Sequence, residues 1–278
     1  MRRIGPYSLF SIETGRFRLD GGAMFGVVPK PLWEKRIPAD ERNRITLAMR
    51  CLLLVGNGKV ILIDTGIGDK HEAKFADIFG IDHAHSTLEG SLAKAGYAPE
   101  EVTDVILTHL HFDHCGGATR RDGERIVATF PNATYHLQRE HWEWAMQPNP
   151  RERASFLKEN FEPLATDATA RLNLLDGGGE FADGIELLVV HGHTRGMQLV
   201  RVRDEATTLL FAADLVPTSA HVPLPWVMAY DIEPLRTIEE KDRILGTAAD
   251  EGWHLFFEHD AEVESALIER DGATFRVK

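Results

Sequence analysis

Cysteine is scarce: the 278-residue chain has two, Cys51 and Cys115, which could form at most one disulfide. A small secreted scaffold stapled by disulfides is therefore excluded. Long apolar runs are missing as well, since CLLLV is broken by Gly56, Asn57 and Gly58 before VILID resumes. A bilayer-spanning helix needs roughly 20 such residues, so no membrane span is expected. Positive charge is short, with 31 Lys+Arg against 43 Asp+Glu and a formal net charge of -12. Such a surface repels nucleic-acid backbones and anionic membranes, so neither is an expected partner. Nothing near the start resembles a charged, apolar, small-residue secretion signal, which makes the cytoplasm the expected compartment. Repeats, low-complexity tracts and clear linkers are lacking too, and α/β folds of this size often close around one core. A single domain over residues 1–278 is expected.

What is present alternates between strand and helix patterns. Tyr7 to Asp20 reads as β, and residues 21–44 mix Gly, Pro, large apolar residues and charges without period, as an ordered arm would. ITLAMRCLLLV and GNGKVILIDTG read as a hairpin in which Gly56, Asn57 and Gly58 supply positive backbone angles. A helix around STLEGSLAKAGY, the strand VTDVILTH, a Gly-rich turn and the strands IVATF and ATYHL follow. Residues 138–170 carry helix formers interrupted around Pro148 and Pro150, which fits two or three helices. IELLVVHGH, MQLVRVRD and TLLFAAD are strands, PLRTIEEKDRILGTAADEG is a helix ended by Gly252, and HLFFEHD, AEVESALIERDG and ATFRVK close the chain as strands. Two strand-rich halves with covering helices suggest an α/β fold of two packed sheets with helices outside.

The chemistry concentrates in His109-Leu110-His111-Phe112-Asp113-His114, directly after an apolar strand. Imidazole nitrogen and carboxylate oxygen hold zinc while leaving a position for water, whereas structural zinc prefers cysteine. Taken singly, each histidine is more often a surface or capping residue, and Asp113 could cap a helix starting near Gly116. Clustering favours ligation. Three further strands stop at ligand-type residues: His193 after IELLVV, Asp214 after TLLFAA and His259 after HLFFE. His191, His254 and Asp260 compete for these places, but His254 begins its strand and would lie at the opposite edge. His191 reads as a supporting or core residue. His71, His83, His85, His136 and His141 read as surface or capping residues. Seven ligands exceed one ion's coordination and suit two divalent ions, zinc first, with iron, manganese or cobalt as alternatives. Such a pair activates water near neutral pH, so hydrolysis is the natural output.

These residues, in this order, resemble the metallo-β-lactamase superfamily across most of the chain. The resemblance implies an αββα sandwich of two mixed sheets with helices on the outer faces. It also implies that His109, His111 and His193 hold one ion, Asp113, His114 and His259 the other, and that Asp214 bridges them. Asp64 would stand behind the metals as partner to a ligand histidine, its alternative being a plain turn residue. Neither cysteine lies where cysteine-ligating zinc β-lactamases place theirs, so Cys115 reads as packing. The glyoxalase and RNA-processing branches fit poorly.

The arm LDGGAMFGVVPKPLW and the HFDHCGG and FEHD contexts look most like the lactonase and organophosphate-hydrolase group. That implies a hydrolase opening lactones of the N-acyl-homoserine lactone type, with phosphotriesters or aryl esters as the alternative. A non-hydrolytic di-iron redox protein is a third reading, disfavoured by the absence of a flavodoxin part and of Glu in the first motif. Acyl-homoserine lactonases often carry tyrosine three residues after the bridging Asp, where this chain has Pro217. Tyr230 or His221 is then the candidate helper for the leaving group, each with a packing role as its alternative. Apolar walls drawn from Met24, Phe25, Val27, Trp33, Phe112, Leu224, Trp226 and Met228 would suit small neutral esters, lactones or phosphotriesters, half of these residues being expected in the core. Phe25, Val27, Val28, Leu32 and Trp33 look exposed, which makes the arm the expected contact of a homodimer.

Overall fold

A computed structural model describes residues 2–167 and 170–278 of the chain. Residues 168 and 169, at the end of the predicted helical stretch 138–170, lie outside the described residues. The fold is mixed α/β with two large mixed sheets. The chain divides into two compact units, one of residues up to Gly15 with Met49–Gly178, the other of Arg16–Ala48 with Gly179–Lys278.

The first sheet runs in the order Arg2–Ile4, Tyr7–Asp20, Arg44–Gly56, Lys59–Ile63, Asp104–Ile106, Thr134–Gln138 and Arg171–Leu175. Arg44–Gly56 and Lys59–Ile63 form the expected hairpin, with Gly56 opposite Lys59. Positive φ is carried by Asn57 and Gly58 (50° and 72°), as a two-residue turn requires. Gly56 was expected to share that role and does not. Its small size matters instead, because a Cβ there would come within 2.3 Å of the Pro6 carbonyl oxygen. The last three pairings are parallel; the inner strands Asp104–Ile106 and Thr134–Gln138 are short and buried, as parallel strands are, while the edge strand Arg171–Leu175 is not. Ile12, Leu53, Leu62, Val105, Leu107, Tyr135 and Leu137 meet in one apolar cluster, to which the helix Leu88–Ala95 adds Leu88 and Leu92. Thr87 caps that helix and Gly96 ends it at φ 91°. The stretch 138–167 forms the helices Arg139–Met146 and Glu162–Thr166 with a short 3-10 turn between them.

The second sheet runs Gly179–Ala182, Ile185–Val190, Met197–Arg203, Thr208–Phe211, His254–Phe256, Ser265–Asp271 and Thr274–Val277. Only Thr208–Phe211 and His254–Phe256 pair in parallel, with Phe211 opposite Phe256. Because the pair is parallel and in that register, Asp214 and His259, each three residues further on, emerge side by side. His254 does begin its strand. The helix Pro234–Glu251 ends at Gly252 in left-handed conformation, as its sequence predicted.

The arm is ordered, with two short helices, Gly21–Phe25 capped by Asp20 and Lys30–Trp33. Of its large apolar residues, Met24, Phe25 and Trp33 are buried, contrary to the exposure expected of Phe25 and Trp33. Phe25 stacks on Trp33 (5.3 Å) and on His221 (4.6 Å), a column that no periodicity announces. Val27 and Leu32 remain 90% and 52% exposed.

Candidate metal centre

Each unit gathers its own share of the predicted ligands. In the first, the strand Asp104–Ile106 leads through Leu107 to Thr108 and His109, and the chain turns into a one-turn helix, Phe112–Cys115, with His111 at its N-cap. Asp113 lies inside that first turn, so its predicted role as N-cap of a helix near Gly116 is corrected. Leu107 and Leu110 point into the apolar cluster and anchor the motif from below. The loop 64–68 crosses the turn closely: a Cβ on Gly116 would lie 2.0 Å from the Ile67 carbonyl oxygen. Thr65 donates from N and Oγ1 to the His114 carbonyl (2.8 and 2.9 Å). Buried Lys70 donates to the carbonyls of Gly116 and Thr119, and burial lowers its pKa.

The hydrogen-bond network assigns the imidazole protons. Thr108 donates its hydroxyl to Asp64 Oδ2 (2.6 Å) and its amide to Asp64 Oδ1 (2.7 Å). Having spent its one hydroxyl proton, Thr108 Oγ1 must accept from His109 Nδ1, 3.0 Å away. His114 Nδ1 donates to Asp64 Oδ2 at 3.2 Å. His109 and His114 thus keep their lone pairs on Nε2. His109 Nε2 faces His111 Nδ1 at 3.1 Å, and His111 Nε2 faces the buried carboxylate of Glu152 at 3.6 Å. Asp113 Oδ2 lies 3.8 Å from His114 Nε2. Asp64 holds this place with a positive φ of 57°, and it is the histidine partner that the resemblance implied.

In the second unit the same rule operates. His193 Nδ1 donates to Asp231 Oδ1 (2.9 Å) and His259 Nδ1 to the Ala48 carbonyl (2.9 Å). Both lone pairs again fall on Nε2. Each Nε2 lies 3.2 Å from a different oxygen of Asp214, Oδ2 for His193 and Oδ1 for His259. Asp214 sits in the turn Ala213–Leu215, entered through Ala213 at φ 43°. His193 is set by its turn: His191 and Gly192 both donate their amides to Glu240 (2.9 Å each). A Cβ on Gly192 would lie 2.4 Å from the Thr237 nitrogen, which is why glycine stands between the two histidines. His259 donates its amide to the Pro217 carbonyl (3.1 Å).

Lone pairs aimed at carboxylate oxygens repel at these distances unless a cation lies among them. All seven candidate ligands are buried, and burying such a set is costly without ligation. The donor set therefore fits divalent metal. Sequence reasoning missed Asp231, Glu152 and Glu240, since each meets its histidine or turn through the fold, and Thr108, which adjoins His109 but acts through the distant Asp64.

Other expectations change. His221 is buried, its Nε2 donating to the Met24 carbonyl (2.8 Å) and its Nδ1 accepting from Thr218 Oγ1 (2.7 Å). Burial pulls its pKa down to about 4, leaving a neutral ring. With both nitrogens engaged and one face on Phe25, His221 packs rather than serving a leaving group. Tyr230 is half-buried on a turn. His136 and His141, read as surface or capping residues, are buried. His136 Nε2 meets Asp104 at 2.9 Å, and His141 Nε2 accepts from the Leu110 amide at 2.8 Å. Cys51 and Cys115 are free and buried, and burial pushes the Cys115 thiol up, as a packing residue requires. Among the described residues, no helix is long and apolar enough to cross a membrane.

Residues 49–261, a span containing all seven candidate ligands, match the family described as the metallo-beta-lactamase superfamily. An N-acyl homoserine lactonase of Bacillus cereus is 28% identical over 177 residues, 60% of this chain and 63% of that protein. This chain thus matches somewhat under two thirds of that relative's length. A probable metal-dependent hydrolase from Staphylococcus aureus superposes with a TM-score of 0.90 at 31% identity, covering 100% of this chain and 99% of that one. AidC, a dizinc quorum-quenching lactonase solved with a product, superposes at 0.83 with 20% identity, covering 100% and 95%.

Because Asp231 fixes the proton of His193, Asp231→Asn is expected to weaken metal binding by about 10- to 100-fold with the fold intact. Competition with a chromophoric chelator measures it; wild-type affinity in the variant would remove Asp231 from the supporting network.

Proposed function

The chain belongs to the metallo-beta-lactamase superfamily and is a metallo-hydrolase, and from that premise we propose that it opens lactones of the N-acyl-homoserine lactone type. His109, His111 and His193 would hold one ion, Asp113, His114 and His259 a second, with Asp214 bridging. The observation that carries this reading is Asp214, whose two oxygens each face an Nε2 already committed as a lone-pair donor. A carboxylate so placed can serve two ions at once. Zinc heads the candidates because nitrogen and oxygen donors without cysteine suit an open catalytic site. Bound ions of this kind supply an activated water at neutral pH and a Lewis acid for a carbonyl oxygen.

The residues of the chain do the rest. Asp64, Thr108, Asp231 and the Ala48 carbonyl each take an Nδ1 proton, which would leave Nε2 of the four imidazoles to face the ions. Lactone is favoured over phosphotriester or aryl ester by the Bacillus relative, which is an N-acyl homoserine lactonase. The expected experiment combines elemental analysis with a panel of lactones, aryl esters and phosphotriesters. Two ions per chain and fastest turnover on an N-acyl lactone are expected, and Asp214→Ala should lose metal together with activity. One ion in fully active protein, or normal turnover in Asp214→Ala, would sink the dinuclear reading. A phosphotriester as best substrate would sink the lactonase reading alone.

Pro217 offers no side-chain donor where many lactonases place tyrosine, and His221 is committed to packing. Tyr230 remains the candidate phenol near the leaving group. Its expected contribution is small: Tyr230→Phe should lower kcat on an alkyl lactone by about tenfold or less, below the roughly 100-fold of a principal acid or oxyanion donor. A loss above a thousandfold on the lactone, with an activated aryl ester spared, would make Tyr230 the general acid.

A homodimer in the cytoplasm completes the proposal, resting for its contact on Val27 and Leu32 at the outer side of the arm. Sedimentation at micromolar concentration should give a dimer that Val27→Asp with Leu32→Asp dissociates; a monomeric wild type would reject it.

A further inference from the structure

Lys241 is fully buried on the helix Pro234–Glu251. Its Nζ is within hydrogen-bond distance of four backbone carbonyls, those of His221 (2.6 Å), Pro223 (2.9 Å) and Trp226 (3.0 Å), with Leu224 further off at 3.5 Å. An ammonium has three N–H donors, and the three nearer acceptors use them all. Burial lowers Lys241 to about 7, with Asp231 acting in the opposite sense. Taking an ammonium out of water is expensive, so a helix that only needed packing here would carry an apolar side chain.

All three carbonyls belong to a segment that contains one 3-10 turn, Ser219–His221, and no strand. Isolated contacts rather than a ladder keep it in place: Trp226 donates to Pro223, Ala229 to Ala23 and Asp231 to Met228. Lys241 gathers the beginning of the segment, and Asp231, at its far end, turns back to Met228 and holds the ring of His193. Between them lie Met228 and Tyr230. The neighbouring Glu240 fixes the turn before His193, so consecutive residues of one helix reach the ligand turn and this segment.

We propose that Lys241 is a positioning residue, its ammonium gathering the carbonyls of His221, Pro223 and Trp226 so that the segment 221–230 packs Met228 beneath Tyr230 and presents Tyr230 to the substrate. The substrate part of this inference rests on the lactonase reading; the structural part does not. Two readouts on the metal-loaded full chain separate them. In Lys241→Met, amide hydrogen exchange within 219–231 should quicken tenfold or more while the strands of both sheets exchange as in wild type. KM for N-hexanoyl homoserine lactone should rise fivefold or more, with kcat within threefold and metal content unchanged. A merely structural role would lower kcat through a smaller active fraction and leave KM alone. Should Lys241→Met not accumulate folded, Lys241→Gln, which keeps one amide donor, is read in the same way. Unchanged exchange in 219–231, a fall in kcat at constant KM, or failure of both variants to fold would overturn the proposal. Faster exchange in that segment with no lactone turnover in either protein would uphold the positioning role and reject the lactonase reading.

Discussion

The whole arrangement depends on where four protons sit. His109, His114, His193 and His259 each give their Nδ1 proton to a fixed acceptor, and each is left with a lone pair on Nε2. The acceptors differ in kind: a threonine hydroxyl whose own proton is spent on Asp64, the carboxylates of Asp64 and Asp231, and a backbone carbonyl at Ala48. The result is the same. Inside protein, where the effective dielectric is low, opposed lone pairs and carboxylates are costly, and that cost is converted into affinity for a cation. His111 differs, with Nδ1 toward His109 and Nε2 toward Glu152.

Holding the protons requires holding the backbone, and the chain does so at points of strain. Asp64 and Ala213 adopt positive φ although neither is glycine. Conformations of this kind cost of order 1–3 kcal/mol and persist only where the surroundings over-determine them. Asp64 is over-determined by the two bonds to Thr108 and one to His114, and its own amide is taken by the Ile106 carbonyl. Ala213 immediately precedes Asp214, so the unusual angle at Ala213 directs the carboxylate that faces two histidines. Close glycine approaches at Gly116 and Gly192 complete the same task for the turns of His114 and His193.

How much of this the sequence discloses depends on the range of the interaction. The motif 109–114 is local, and Asp214 and His259 are legible because parallel strands of matched register end three residues before each. The boundaries of Pro234–Glu251 and of the hairpin at Asn57 and Gly58 follow from short-range turn and cap chemistry. Asp231 and Glu152 leave no such trace: Asp231 lies 38 residues from the histidine it holds and in no periodic segment. His221 and His141 mislead for the same reason, since loop or helix position says little about burial when the partner is a carbonyl 197 residues away or an amide 31 residues away. The arm shows the limit most plainly. Its aperiodic apolar residues imply an apolar partner, and Phe25 finds its partners within the same unit, in Trp33, Trp226 and the imidazole of His221.

The departure at Pro217 acquires a physical meaning in this setting. A proline there has no side-chain donor, yet its carbonyl accepts the His259 amide, so the position supports a candidate ligand through backbone. The two residues that sequence offers in place of a tyrosine then part company. His221, neutral and bonded at both nitrogens, has become a rivet between Thr218, Met24 and Phe25. Tyr230 lies on the segment whose beginning Lys241 gathers and whose end is Asp231. Chemistry in this chain is thus concentrated in its buried histidines and aspartates, whose positions are over-determined. The stretch from Pro223 to Tyr230 belongs to neither sheet, so a change of sequence there leaves the imidazole protons in place.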